Sequence, residues 1–269
     1  MAQMAQGRNK KVKVVQIIAR MNVGGPAVIV ADLMRSIDAS KVEQVLITGY
    51  CDSDEADYLE TVATDIKATR IAGLGRSVSV VSDVRAFFAL VAMIKEIAPD
   101  VIHTHTAKAG VLGRLAAILA GRKAKRVHTF HGHVFHSYFG KFKSSVFKYI
   151  ERSLAKNSTG IVAISDIQKQ ELSGIHRICS PDKISVINLG FDLEKFHENR
   201  EEKRKLTRKE FAISDDEVAV AIIGRLSSVK NHSMFLDVVE NVSRQTSKKV
   251  RFFIVGDGTE RMTIEQRIS

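Results

Sequence analysis

Tryptophan is absent from the 269 residues, and aromatic side chains make up only 6% of them. A core without large rings must be filled by Val, Ile, Leu and Ala, which suits the continuous apolar strands of a parallel sheet. Cysteine is as scarce. Cys51 and Cys179 are the only two, and they lack metal-ligand spacing, so a disulfide framework is excluded and a reducing compartment is expected. Long apolar runs are missing too: the longest, Ala86–Ile94, falls far short of the ~20 residues that a membrane span needs. The polar start MAQMAQGRNKK leads straight into a strand and does not read as a secretory leader. The chain is expected in the cytoplasm, with contact at a membrane surface left open.

Acidic residues are outnumbered, 30 against 41 Lys and Arg, which gives a formal net charge of +11. A basic surface attracts phosphates in nucleic acid, lipid headgroups or nucleotide diphosphates. The excess is scattered through Lys10–Lys13, Arg122–Arg126 and Lys203–Lys209 and is not interleaved with aromatics, which argues against a nucleic-acid module. Neither G-x-G-x-x-G nor G-x-x-x-x-G-K-[ST] occurs, so the nicotinamide and P-loop fingerprints are excluded.

What is present is alternation. Strands are predicted at Val12–Ala19, Val42–Thr48, Val101–His103, Arg126–Phe130, Gly160–Ile164 and Lys183–Ile187. Helices are predicted at Ala27–Ile37, Asp54–Thr64, Val78–Ile97, Lys108–Ala120, Lys143–Ala155 and Asp166–Leu172. Of the three prolines, Pro26 suits a first helical position and Pro99 ends a helix. Ser165 reads as an N-cap. The alternation predicts a parallel sheet with helices on both faces. The charged stretch 196–210 then reads as a linker or exposed helix between residues 1–195 and a second unit, 211–269. There the pattern restarts with strands Val218–Ile223 and Val250–Val255 and a helix His232–Val242. So small a sheet buries little, and the second unit is expected to be incomplete.

Ligands of open α/β sheets bind beyond the carboxyl ends of the strands. Those positions carry Arg20, Gly24 and Gly25; His103, His105 and Lys108; His131, Gly132 and His133; Ser165 and Asp166; and, in the second unit, Gly224, Arg225, Lys230 and Gly256-Asp257-Gly258. Gly24-Gly25 before a helix lets a phosphate approach backbone N–H groups, or simply makes a tight turn. His128, His131, His133 and His136 invite a metal reading. Zinc sites usually add Cys or carboxylate ligands at set spacing, and none are here, so no metal is expected. His131 is the better candidate for hydrogen bonding to a substrate hydroxyl or diphosphate. Arg225 and Lys230, after Gly224, match the double charge of a diphosphate leaving group; in isolation they read equally well as solvated surface cations.

Four stretches together resemble the GT-B glycosyltransferases, most closely glycosyltransferase family 4, the retaining bacterial hexosyltransferases of surface polysaccharide and glycolipid synthesis. They are Arg20–Pro26, Pro99–Arg114, Thr129–Arg152 with Ala163–Leu172, and Gly224–His232; Val186–Phe196 resembles the family's interdomain crossing. The resemblance implies two Rossmann-like domains with a nucleotide-diphosphate sugar, most often a UDP-sugar, held in the cleft between them. It implies a saccharide or lipid-linked acceptor, retention of configuration, no obligatory metal and no other cofactor. It gives His131 the catalytic contact with the donor sugar and gives Arg225 and Lys230 the diphosphate. Gly24, Gly25, Arg20, His105, Lys108, Ser165 and Gly224 would line the donor or acceptor site. Basic and apolar residues in Phe135–Tyr149 would suit peripheral membrane contact. The family's Glu-x-x-x-x-x-x-x-Glu motif has no match here, since Glu260 and Glu265 have the wrong spacing, so the polypeptide as given is expected to be inactive. The competing expectations are a nucleotide-sugar epimerase of the same fold and a non-catalytic basic binding module.

Overall fold

The computed structural model describes residues 10–121, 123–132 and 141–269. They fall into two compact units, Met1–Phe191 and Asp192–Ser269. In the first, the apolar runs form strands β1 (Val12–Ile18), β2 (Val42–Thr48), β3 (Ala68–Arg70), β4 (Val101–His105), β5 (Lys125–Phe130), β6 (Gly160–Ala163) and β7 (Ile184–Val186). Helices α1 (Gly25–Ser36), α2 (Tyr58–Thr61), α3 (Val80–Ile97), α4 (Ala107–Leu119), α5 (Lys141–Asn157) and α6 (Asp166–Gln170) alternate with them.

The strands make one seven-stranded sheet in the order β3-β2-β1-β4-β5-β6-β7, and each pairing is parallel. Side chains of β1 alternate between its faces. Val15 and Ile17 pack with Leu90 and Ile94 of α3 and Ala116 of α4. Ile18 packs with Ala27, Val30 and Ala31 of α1 on the other side. Helices therefore cover both faces, as the alternation predicts. Alanine and glycine let α4 lie close against the sheet. A Cβ on Gly110 would stand 2.5 Å from the His128 ring, and one on Gly113 2.8 Å from Thr104.

Two expectations need correction. Strand β3 is too short and polar, as Ala-Thr-Arg, to stand out as a run, yet it completes the edge beside β2. The helix expected over Asp54–Thr64 is only the turn α2, capped by the Asp57 side chain accepting from Leu59 N. The residues before it are used otherwise: Val23 N donates to Ala56 O and Tyr58 N to Met21 O, which clamps the β1–α1 loop.

In the second unit, α7 (Glu194–His197) and α8 (Arg200–Glu210) precede β8 (Val218–Ile223), α9 (His232–Gln245), β9 (Val250–Val255) and α10 (Arg261–Ile268). The charged stretch 196–210 is thus largely helix. Strands β8 and β9 pair in parallel. Among the described apolar side chains of this unit, only Leu226 and Ile264 are buried. An apolar cavity of about 340 Å³, lined by residues that include Phe235, Val239, Phe252 and Ile254, lies beside them.

Candidate functional site

The strand order reverses at β1 and β4, and the carboxyl ends of these two strands frame the crevice where such sheets bind ligands. Ala19 N donates to Thr106 Oγ1 across that gap, at 3.3 Å. Thr106 itself has φ 65°, a left-handed value that is unusual for a β-branched residue and marks stored strain at this point. Sequence pattern gave no sign of it.

Four imidazoles gather on β4 and β5. His105 Nδ1 lies 2.8 Å from His131 Nε2, and His105 Nε2 lies 3.0 Å from Gln16 Oε1. On the same face, His103 Nε2 meets Thr129 Oγ1 at 2.7 Å. On the other face, His128 Nδ1 meets Thr104 Oγ1 at 2.9 Å. No group of three or more His, Cys, Asp and Glu side chains able to hold a metal ion occurs among the described residues. His133 and His136 lie outside the described residues, as does part of the Phe135–Tyr149 segment.

Burial pushes His103 and His131 down to about 4, and drives His105 and His128 well below the ordinary histidine value; neighbouring imidazoles push His103, His105 and His128 further, and Arg114 adds to His128. All four are neutral at pH 7. Because the folded-state values lie below the unfolded one, the stability they permit is complete above about pH 6.5 and is lost as pH falls toward 4, where the unfolded chain takes up protons that the folded chain refuses. Unfolding free energies from urea titrations should therefore hold from pH 7.5 to about 6.5 and fall from there to pH 5, by up to about 1.4 kcal/mol per pH unit for each such histidine. The His103→Gln variant should show a shallower slope; an unchanged slope would remove His103 from this account.

The other expected site residues separate into two groups. Arg20 donates from Nε and Nη2 to both carboxylate oxygens of Glu55, at 2.5 and 2.7 Å. Its charge is spent within the protein, in fixing the loop that leads to Gly24. Lys108 Nζ is likewise tied, to Asp83 at 2.6 Å and to the Ser77 carbonyl at 2.5 Å. The Ser165 hydroxyl accepts from Gln168 N at 3.2 Å, as the predicted cap of α6. Gln168, which sequence reasoning passed over, donates to the Gly132 carbonyl at 2.9 Å and so braces the residue beside His131.

Gly24 and Gly25 stand in open space. Among the described residues, a Cβ on Gly24 would meet nothing closer than 3.8 Å, and one on Gly25 nothing within 4 Å. Gly24, with φ 168° and ψ 169°, has extended backbone that any residue adopts. The packing of the described residues therefore makes no demand for glycine here, unlike at Gly110.

In the second unit, Gly224, Arg225 and Lys230 occupy the β8–α9 loop. Arg225 and Lys230 are exposed and form no ion pair among the described residues. The aliphatic stem of Lys230 lies 3.8 Å from the position a Gly224 Cβ would take. The Gly256-Asp257-Gly258 turn supports this loop: Leu226 N donates to Asp257 O at 2.9 Å and Glu260 N to Leu226 O at 3.1 Å. A Cβ on Gly256 would sit 1.9 Å from the Gly224 carbonyl oxygen, so this glycine is required by loop-to-loop contact.

An all-parallel sheet wound in this order, followed by a second βαβ unit with a basic loop, defines the GT-B class of α/β protein. The chain belongs to Glycosyltransferase Family 4, whose model matches residues 23–195, and the model for glycosyl transferases group 1 matches residues 203–269. The UDP-Gal:alpha-D-GlcNAc-diphosphoundecaprenol alpha-1,3-galactosyltransferase of Escherichia coli is 34% identical over 206 residues, which cover 75% of this chain and 51% of that protein. The crystal structure of Anabaena HepE in complex with UDP and glucose superposes with a TM-score of 0.73 at 19% identity, over 96% of this chain and 65% of that one. The UDP-GlcNAc 2-epimerase from Neisseria meningitidis bound to UDP-GlcNAc shares the fold at a TM-score of 0.60 and 16% identity, over 96% of this chain and 69% of that one. The chain spans about half the length of the curated relatives it matches. No helix among the described residues is long and apolar enough to cross a membrane.

Proposed function

We propose that this chain is part of a retaining glycosyltransferase, its first unit on the acceptor side and its second the start of the nucleotide-sugar-binding domain, that moves a hexose or N-acetylhexosamine from a UDP-sugar to a saccharide or lipid-linked acceptor in surface polysaccharide or glycolipid synthesis. The observation that carries the reading is the contrast among its cations: Arg20 and Lys108 are neutralised by Glu55 and Asp83, whereas Arg225 and Lys230 are left for an external anion. Diphosphate is the anion whose charge they match, and stabilising it as it departs is the largest service a protein can offer glycosyl transfer. His131, neutral and at the end of β5, holds the sugar. No step calls on a metal or other cofactor in this reading.

The epimerase alternative shares the fold, so architecture does not separate the two; the family match and the galactosyltransferase relative support transfer. Binding is tested by a thermal-shift panel of UDP, GDP, ADP and NAD, since a ligand that binds the folded state raises its melting temperature. UDP and UDP-sugars should stabilise selectively. A response to NAD alone, or to none of the four, would defeat the proposal. Gly24→Ala and Gly25→Ala should leave the stability of the free protein unchanged within the ~0.5 kcal/mol typical of surface substitutions while weakening the response to UDP-sugar. A loss of stability without any change in that response would return both glycines to a purely structural role.

A further inference from the structure

Gln16 is one of the few polar residues buried in the sheet, at 1% exposure, in a strand whose other residues, Lys13 apart, are apolar. Its neighbours explain the cost. Gln44 Nε2 lies 3.1 and 3.3 Å from the backbone carbonyls of Leu33 and Met34, in the last turn of α1. Carbonyls only accept, so the Gln44 amide can take one orientation, with Oε1 turned away from them. That oxygen accepts from Gln16 Nε2 at 3.3 Å. Gln16 Oε1 is then fixed toward His105 Nε2, 3.0 Å away, which must carry the hydrogen. His105 Nδ1 is left with its lone pair and accepts from His131 Nε2 at 2.8 Å. His131 consequently keeps its proton on Nε2 and its lone pair on Nδ1, which takes no partner among the described residues.

We propose that Gln16 and His105 are positioning residues that hold His131 as the Nε2–H tautomer, so that its Nδ1 accepts a hydrogen bond from a sugar hydroxyl and cannot donate one to a phosphate. The direction is set four hydrogen bonds away, by two helix carbonyls that can only accept. Each link has one permitted sense, and reversing any of them would set two lone pairs or two hydrogens against each other inside a dry sheet, at the cost of an unsatisfied buried group. The neutrality of the pair keeps the relay intact at physiological pH, because a second proton on either ring would lose its acceptor. The choice of tautomer discriminates between ligand groups: hydroxyls can donate to a bare nitrogen, whereas diphosphate oxygens at neutral pH only accept.

The inference rests on His131 contacting the sugar, as proposed above, but its first test needs no ligand. The full 269-residue chain, labelled with 15N-histidine, should show His131 with a pyrrole-like Nε2 and a pyridine-like Nδ1 at pH 7.5. Gln16→Leu should convert this single tautomer to a mixture, whereas Gln16→Glu, which still accepts from His105 Nε2, should retain it. Gln44→Leu, remote from both rings, should also give a mixture because it frees the Gln16 amide to turn over; this variant decides the matter if Gln16→Leu fails to fold. An Nδ1–H tautomer in the parent chain, or an Nε2–H tautomer that survives Gln44→Leu and Gln16→Leu unchanged, would overturn the relay. With the relay established, saturating UDP-glucose should move the His131 Nδ1 resonance and UDP alone should not. If UDP-glucose binds and leaves that resonance in place, the acceptor role is wrong; if neither ligand binds, the functional proposal fails while the tautomer result stands.

Discussion

Glu151→Ala should destabilise the first unit by about 3–5 kcal/mol, the range found when one partner of a buried ion pair is removed. Arg114 and Glu151 are 1% and 0% exposed. Arg114 Nη2 bridges both carboxylate oxygens, at 2.8 and 2.7 Å, and its Nε donates to Gly110 O at 2.7 Å. Burial pushes the Glu151 carboxyl above its ordinary value, and the guanidinium pulls it back. The pair joins α4 to α5, beneath the strands that carry the histidines. Deleting the carboxylate strands a permanently charged guanidinium in the core, and a guanidinium has no neutral form to retreat to. A domain of ordinary stability, about 5–15 kcal/mol, then loses a large share of it. Replacing both partners, in Arg114→Met with Glu151→Leu, removes the stranded charge and should recover most of the loss, because an apolar pair of similar volume is often as stable as the ion pair. Urea denaturation of the three proteins checks this. A Glu151→Ala midpoint equal to the parent's, or a double variant less stable than the single one, would show that the pair is not what binds the two helices.

The positions of the strands were legible because a strand buried on both faces must be apolar throughout, whatever its neighbours. That logic found β1, β2, β5 and β6 to within about two residues, the usual boundary error. It failed for β3, where Ala-Thr-Arg offers no apolar run, and for α2, where backbone groups are drawn into contacts with the β1–α1 loop. The same logic concealed Gln16 and Gln44. Both sit in the middle of predicted strands, and the buried Gln16 was itself the available signal: a glutamine inside a sheet needs partners. Roles were harder to read than positions. Arg20 and Arg225 look alike in sequence, each a cation just after a strand. They differ through a carboxylate, Glu55, that lies 35 residues from Arg20 along the chain, and no local pattern reports on a pairing at that distance.

That difference leads to the second large effect. Arg225→Ala and Lys230→Ala should each weaken UDP binding by about 10- to 100-fold, the equivalent of one charge-assisted hydrogen bond, and the double variant should abolish measurable binding. The loss arises because no partner among the described residues competes for these two groups: both are exposed, in a loop held by the Gly224–Val255 and Leu226–Asp257 backbone hydrogen bonds and independent of the substituted side chains. Stability should therefore hold while affinity falls. Net charge alone would give a different pattern. Lys249 is an equally exposed cation, but it is paired with Asp216 at 2.9 Å, and Lys249→Ala removes the same charge from the same unit. Its UDP affinity should stay within about twofold of the parent at 0.15 M salt, where screening limits distant charges to short range. Calorimetric titration of UDP into the parent and the four variants separates the cases. Equal losses in all of them would mean that the unit attracts phosphate diffusely. A loss confined to the Arg225 and Lys230 variants would mean that the β8–α9 loop grips it.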